Sequence, residues 1–138
     1  MIETHGLTHI NLLVADVRRA KEFYEKVFGF EEMFWAGPSL VFLKPRGTND
    51  TITLQEKPDA AGITGNIDHF GFRLADRGQL DRAIKEVVEA GGSLVERGEY
   101  EPGRPFAYVA DPDGHILASA LGGRGRLMIR TGMVAIRR

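Results

Sequence analysis

The apolar positions of this chain change their period at regular intervals, and each change marks an element. From about Leu7 to Val14 they alternate, with Ile10, Leu12 and Val14 on one face and His9, Asn11 and Leu13 on the other. That pattern predicts a strand with one buried side. Asp16 then has the chemistry of a helix N-cap, and Val17, Ala20, Phe23, Tyr24, Val27 and Phe28 recur at helical spacing until Gly29 offers a stop. Two short strands follow, Met33–Trp35 and Leu40–Leu43, parted by Gly37 and Pro38. After a turn over Arg46–Asp50 comes a strand at Thr51–Gln55. Ile52 and Leu54 face one way there, and Thr51, Thr53 and Gln55 the other.

A linker over residues 57–66, rich in Pro, Gly and Ala, interrupts the pattern, which then begins again. Phe70, Phe72 and Leu74 alternate with His69, Gly71 and Arg73, and Asp76 follows His69 at the interval at which Asp16 follows His9. Leu80, Ala83, Ile84, Val87 and Val88 mark a second amphipathic helix ending at Gly91-Gly92. Short strands around Ser93–Glu96 and Phe106–Val109 lead to the turn Asp111-Pro112-Asp113-Gly114 and a last strand, Ile116–Leu121. His115 reads as a solvent-exposed turn residue.

The repetition is a tandem β-α-β-β-β unit, with one module over residues 7–56 and a second over 67–121. Each module has one helix and four strands, so its sheet buries one face on the helix and leaves the other free. The predicted fold is therefore α+β, a single domain over residues 1–138 in which two modules form a curved mixed sheet around a cleft. Residues 122–138 lie outside the repeat. Their apolar runs Leu127–Ile129 and Met133–Ile136 suit an added strand or a dimer interface, and their Gly and Arg content suits a frayed basic end.

Composition narrows the function. The 138 residues carry a net charge of -1 with both signs interspersed, which gives no field to steer nucleic acid or a phospholipid surface. Cysteine is absent, so disulfides, thiolate metal sites and a cysteine nucleophile are excluded. No apolar run reaches the length of about 18 residues needed to span a bilayer, and Met1–His5 has neither region of a signal peptide. The expectation is a cytoplasmic protein with a small-molecule partner, probing neither nucleic acid nor membrane. Gly122–Gly125 follows a strand but opens no helix, so no phosphate loop is predicted.

The candidate site follows from the free faces. His9 and His69 occupy equivalent positions in the two modules, and alternation turns both away from the helices toward the shared cleft. Asn11, Thr53 and Gln55 share the face of His9, and Arg73 shares that of His69, where it can meet an anionic substrate or pair with a surface carboxylate. Trp35, Phe42 and Tyr108 lie on strands beside the cleft and offer stacking area and a phenolic hydroxyl, although Phe42 suits a plain core role equally well.

Three stretches, Leu7-Thr8-His9-Ile10, Ile67-Asp68-His69-Phe70 and Asp111-Pro112-Asp113-Gly114-His115-Ile116-Leu117-Ala118, together resemble the signature of the vicinal-oxygen-chelate superfamily. Glyoxalase I, extradiol dioxygenases, fosfomycin-resistance enzymes and bleomycin-resistance proteins share that fold. The resemblance implies imidazole ligands at His9 and His69 for a divalent ion such as Zn, Fe, Ni or Mn, and a homodimer. It also implies carboxylate ligands at the positions held here by Thr53 and Ala118, neither of which supplies one. Gln55, Glu56 or a partner chain would then provide the third donor. Tyr108 stands before the turn much as a tyrosine does in extradiol dioxygenases. Two functions follow from the resemblance: a metal-dependent lyase, isomerase or dioxygenase, and a metal-free protein that sequesters a small molecule as bleomycin-resistance proteins do.

Overall fold

The computed structural model describes residues 8–63, 67, 69–74, 77–99, 102–103 and 105–121, with only the backbone of 73, 77 and 119–121. The expected terminal extension and Asp76 lie outside the described residues. In chain order the elements are β1 (His9–Val14), α1 (Val17–Phe28), β2 (Phe30–Trp35), β3 (Leu40–Pro45), β4 (Thr51–Glu56), β5 (Phe70–Leu74), α2 (Leu80–Glu89), β6 (Ser93–Glu99), β7 (Pro105–Ala110) and β8 (Ile116–Leu121). The α+β fold of two β-α-β-β-β modules is the one the periodicity predicts.

The strands form two separate four-stranded sheets, in the orders β1-β4-β3-β2 and β5-β8-β7-β6. In each, the first and last strands pair in parallel and the other pairs are antiparallel. β1 and β5 are thus edge strands, each with one row of main-chain groups unpaired within its own sheet. A bulge interrupts the same place in both modules, between Glu32 and Phe34 on β2 and between Leu94 and Glu96 on β6.

Local chemistry sets the first helix. The Asp16 carboxylate accepts from the N–H groups of Arg18 and Arg19, both at 2.9 Å, and Gly29 closes the other end at φ 65°. The second helix starts at Leu80, where its apolar spacing places it. A short 3-10 turn over Arg77–Gln79 precedes it, and Gln79 at its N-cap makes no side-chain capping bond.

One core joins the modules. Phe23, Tyr24, Leu43 and Leu54 of the first module belong to the same buried cluster as Val87, Val109 and Leu117 of the second. Phe72 bridges them, with its ring centroid 4.6 Å from Phe28 and 5.4 Å from Phe30. The helix-covered faces of both sheets therefore share this core, and Ile10, Leu12 and Val14 lie against it as the alternation of β1 predicts.

The turn after β7 locks the modules together. Asp113 Oδ1 accepts from the main-chain N–H of Ala15 and from Arg19 Nη2, each at 2.9 Å. Gly62, at φ 67°, lies so close to this turn that a Cβ there would stand 1.9 Å from the Asp113 carbonyl oxygen. Only glycine satisfies both the backbone angle and the approach.

Candidate functional site

Register makes the two modules comparable residue by residue. Asn11 lies opposite Thr53, which lies opposite Phe42; Gly71 lies opposite Ala118, which lies opposite Tyr108. The histidines preceding each set make matching contacts. His9 meets Phe42 edge-on at 5.8 Å, and His69 meets Tyr108 edge-on at 5.1 Å. In the first module the polar groups satisfy one another: Thr53 Oγ1 donates to Asn11 Oδ1 at 2.6 Å, and Asn11 Nδ2 donates to Gln55 Oε1 at 3.0 Å. Thr53 is buried under this chain of bonds. Its counterpart in the second module, Gly71 beside Ala118, carries no polar side chain.

A cavity of about 250 Å³ opens between the modules. Ile10, Asn11, Leu12 and Leu13 form one wall, Gly62 and Ile63 of the linker with Ile67 a second, and His69, Phe70, His115 and Ile116 a third. It brings Asn11 and His69 to one space, whereas His9, on the same strand as Asn11, does not line it.

Below the cavity lies a buried polar cluster around Asp111. Its carboxylate accepts from Tyr24 Oη at 3.0 Å, from the N–H groups of Asp113 and His115 at 3.0 and 2.9 Å, and lies 2.9 Å from His115 Nδ1. An Asp accepting from the N–H two residues on is the usual device of such turns. Burial opposes the charged form of the His115 ring, but the hydrogen bond and charge of Asp111, the charge of Asp113 and a bond to the Leu13 main chain outweigh it and raise its pKa. Burial, followed by the Asp111 charge and hydrogen bond, drives the Tyr24 phenol well above its ordinary 10.0.

A profile of the Glyoxalase/Bleomycin resistance protein/Dioxygenase superfamily matches residues 6–118. The chain belongs to this superfamily. Among its curated members, a metallothiol transferase, FosB, of Shouchella clausii (strain KSM-K16) is 28% identical over 115 residues, spanning 82% of this chain and 77% of that protein. A catechol-2,3-dioxygenase of Bacillus subtilis (strain 168) is 28% identical over 123 residues, 83% of this chain but 42% of that protein. The fold also matches a fosfomycin-resistance protein, FosX, of Listeria monocytogenes, solved with Mn(II) and 1S,2S-dihydroxypropylphosphonic acid. Its TM-score is 0.74 at 20% identity, with 88% of this chain and 94% of that one covered. That FosX structure holds Mn(II), a hard ion that needs several nitrogen or oxygen donors around it.

The donors of the present chain do not fit a divalent ion held by one chain. Ala118 has no donor atom, and the Thr53 hydroxyl is committed to Asn11. Gln55 accepts from Asn11, and Glu56 Oε2 accepts from the Val17 N–H at 3.0 Å, at the start of α1. Among the described residues no three His, Asp or Glu side chains converge as a metal site would require.

Two expected placements change in the structure. Trp35 does not face the cleft: it packs against the core on the helix side, with the Arg18 guanidinium 5.4 Å over its ring. The bulge at Met33 reverses the alternation of β2, so Phe34 takes the open face and stacks on Phe42 at 4.3 Å. His115 is no exposed turn residue, since its side chain is 18% accessible and bonded to Asp111. The role of Asp111 and Tyr24 escaped the sequence reading; an Asp at both ends of a Pro-containing turn, with a His four residues on, was the available sign. Of Arg73 only the backbone is described. Among the described residues no helix is long and apolar enough to cross a membrane.

Proposed function

We propose that this superfamily member binds a small organic molecule in the cavity between its modules, without a metal ion of its own. The observation that carries the reading is the cavity itself, which gathers Asn11 from one module and His69 from the other. The donor chemistry supports it, because the two carboxylate positions hold Thr53 and Ala118. With apolar walls and few polar groups, such a space suits a fragment-sized ligand, being smaller than the roughly 300–1,000 Å³ typical of pockets for drug-sized molecules.

A second reading is favoured by the matched His9–Phe42 and His69–Tyr108 contacts. In it the histidines take part in a metal site of a lyase, isomerase or dioxygenase, with a further donor from a partner chain of a homodimer. Exposed Met33 and Phe34 on the open face suit such a dimer.

Elemental analysis of protein purified without chelator or affinity metal separates the two, together with the His9→Ala, His69→Ala double variant and a ligand screen by NMR. Metal-free protein with ligands that perturb the signals of Asn11 and His69 is expected. Near-stoichiometric metal, lost in the double variant, would establish the second reading instead.

A further inference from the structure

Resting on the cavity as the binding site, we infer that it reads its ligand through the main chain of β1, and that the ligand carries an N–H and a C=O on one carbon, as an N-acyl amino acid or its amide does.

The geometry starts from the pairing of β1. The Lys57 N–H donates to the Val14 carbonyl, which directs the main-chain groups of Val14, and by alternation those of Leu12 and Ile10, toward β4. Those of His9, Asn11, Leu13 and Ala15 therefore point away from β4. At the C-terminal end of this row the turn of the second module provides partners. Asp113 Oδ1 takes the Ala15 N–H, and the His115 ring faces the Leu13 carbonyl, which helps raise its pKa.

What is left of the row is the Leu13 N–H and both main-chain groups of Asn11 and of His9. None of them has a partner among the described residues. The cavity lies along this stretch, because it is lined by Ile10 through Leu13 and by nothing from β4. The Asn11 side chain is already bonded to Thr53 and Gln55, so the polar recognition left to this wall is the main chain.

The open stretch that borders the cavity is one residue long, because His9, next in the row, does not line it. Side chains of Asp113 and His115 block its continuation, which denies a full partner strand but admits a single unit whose N–H meets the Asn11 carbonyl and whose C=O meets an N–H of Leu13 or Asn11. Ile63, Phe70 and Ile116 surround the same space, so the substituent on that unit should be apolar.

The test is a two-dimensional NMR titration of the full chain with N-acetyl-leucine methylamide and with its α-acetoxy counterpart, in which oxygen replaces the leucine N–H. The amide should shift the Asn11 and Leu13 signals and slow their hydrogen exchange, while leaving Leu12, already in the ladder, unchanged. The acetoxy compound should bind roughly tenfold more weakly, the effect of one lost hydrogen bond. Equal binding of the two would overturn the inference. If neither binds but other small molecules shift Ile63 and Ile116, main-chain readout fails while the cavity remains the site. If no compound perturbs the cavity, both fail.

Discussion

Replacing Tyr24 by phenylalanine isolates one bond of the cluster that holds the modules together. Tyr24 is fully buried, and its ring packs against Phe23, Phe28 and Phe30 at centroid distances of 5.3, 6.0 and 5.9 Å. Phenylalanine keeps those contacts and removes only the hydroxyl that donates to Asp111. A hydrogen bond to a charged group contributes about 1.5–3 kcal/mol, and the Asp111 carboxylate would keep its other donors. For a chain of this length the loss corresponds to a fall of roughly 5–10 °C in Tm. The pH dependence adds a second signature. Because the folded-state pKa of Tyr24 is raised, its contribution is full below the ordinary value near 10.0 and is lost as pH rises beyond it, where the unfolded chain releases the proton first. The wild type should thus weaken more steeply than Tyr24→Phe above pH 10. Urea unfolding at pH 7 and at stepped alkaline pH measures both effects. A difference under about 0.5 kcal/mol at pH 7, within the range of an ordinary surface change, would refute the anchoring role.

His115→Gln should cost most stability below pH 6.5 and progressively less as pH rises through the elevated pKa, since a raised histidine contributes while protonated; unfolding at a series of pH values checks the sign. Gly62→Ala should destabilise by about 2 kcal/mol or more, from its φ of 67° and the approach to Asp113, and thermal unfolding reads the loss. Asp113→Ala should cost about 1–3 kcal/mol by leaving the Ala15 N–H and Arg19 without their acceptor, an effect a denaturant curve would detect. Ala118→Glu should confer retention of Mn or Zn measurable by elemental analysis, because it places a carboxylate on the strand beside β5; unchanged metal content would argue against that equivalence.

Trp35 shows where periodicity stops being informative. Alternation presumes uninterrupted pairing, and the bulge at Met33 depends on which residues of β3 lie opposite, a partnership made by folding rather than by neighbours in the chain. The open-face identity of His9 and Asn11 was legible because β1 has no such interruption. The bond from Tyr24 to Asp111 was illegible for a different reason. Tyr24 and Asp111 are 87 positions apart, and nothing in either local pattern implies that one hydroxyl would meet the other's carboxylate.

The chain by itself determined its two modules, their helices with the Asp16 cap and Gly29 stop, and the alternation that sends Leu12, Val14 and Leu54 inward. Those are properties of short segments, in which the spacing of apolar side chains settles what each can bury. Only the tertiary structure decided how the modules meet. One core runs through Phe28, Phe30 and Phe72, the Asp111–His115 turn bonds the first strand and helix, and a cavity lies against the open edge of β1. Packing and hydrogen bonds between distant segments select that arrangement, and only in the folded chain do they act together.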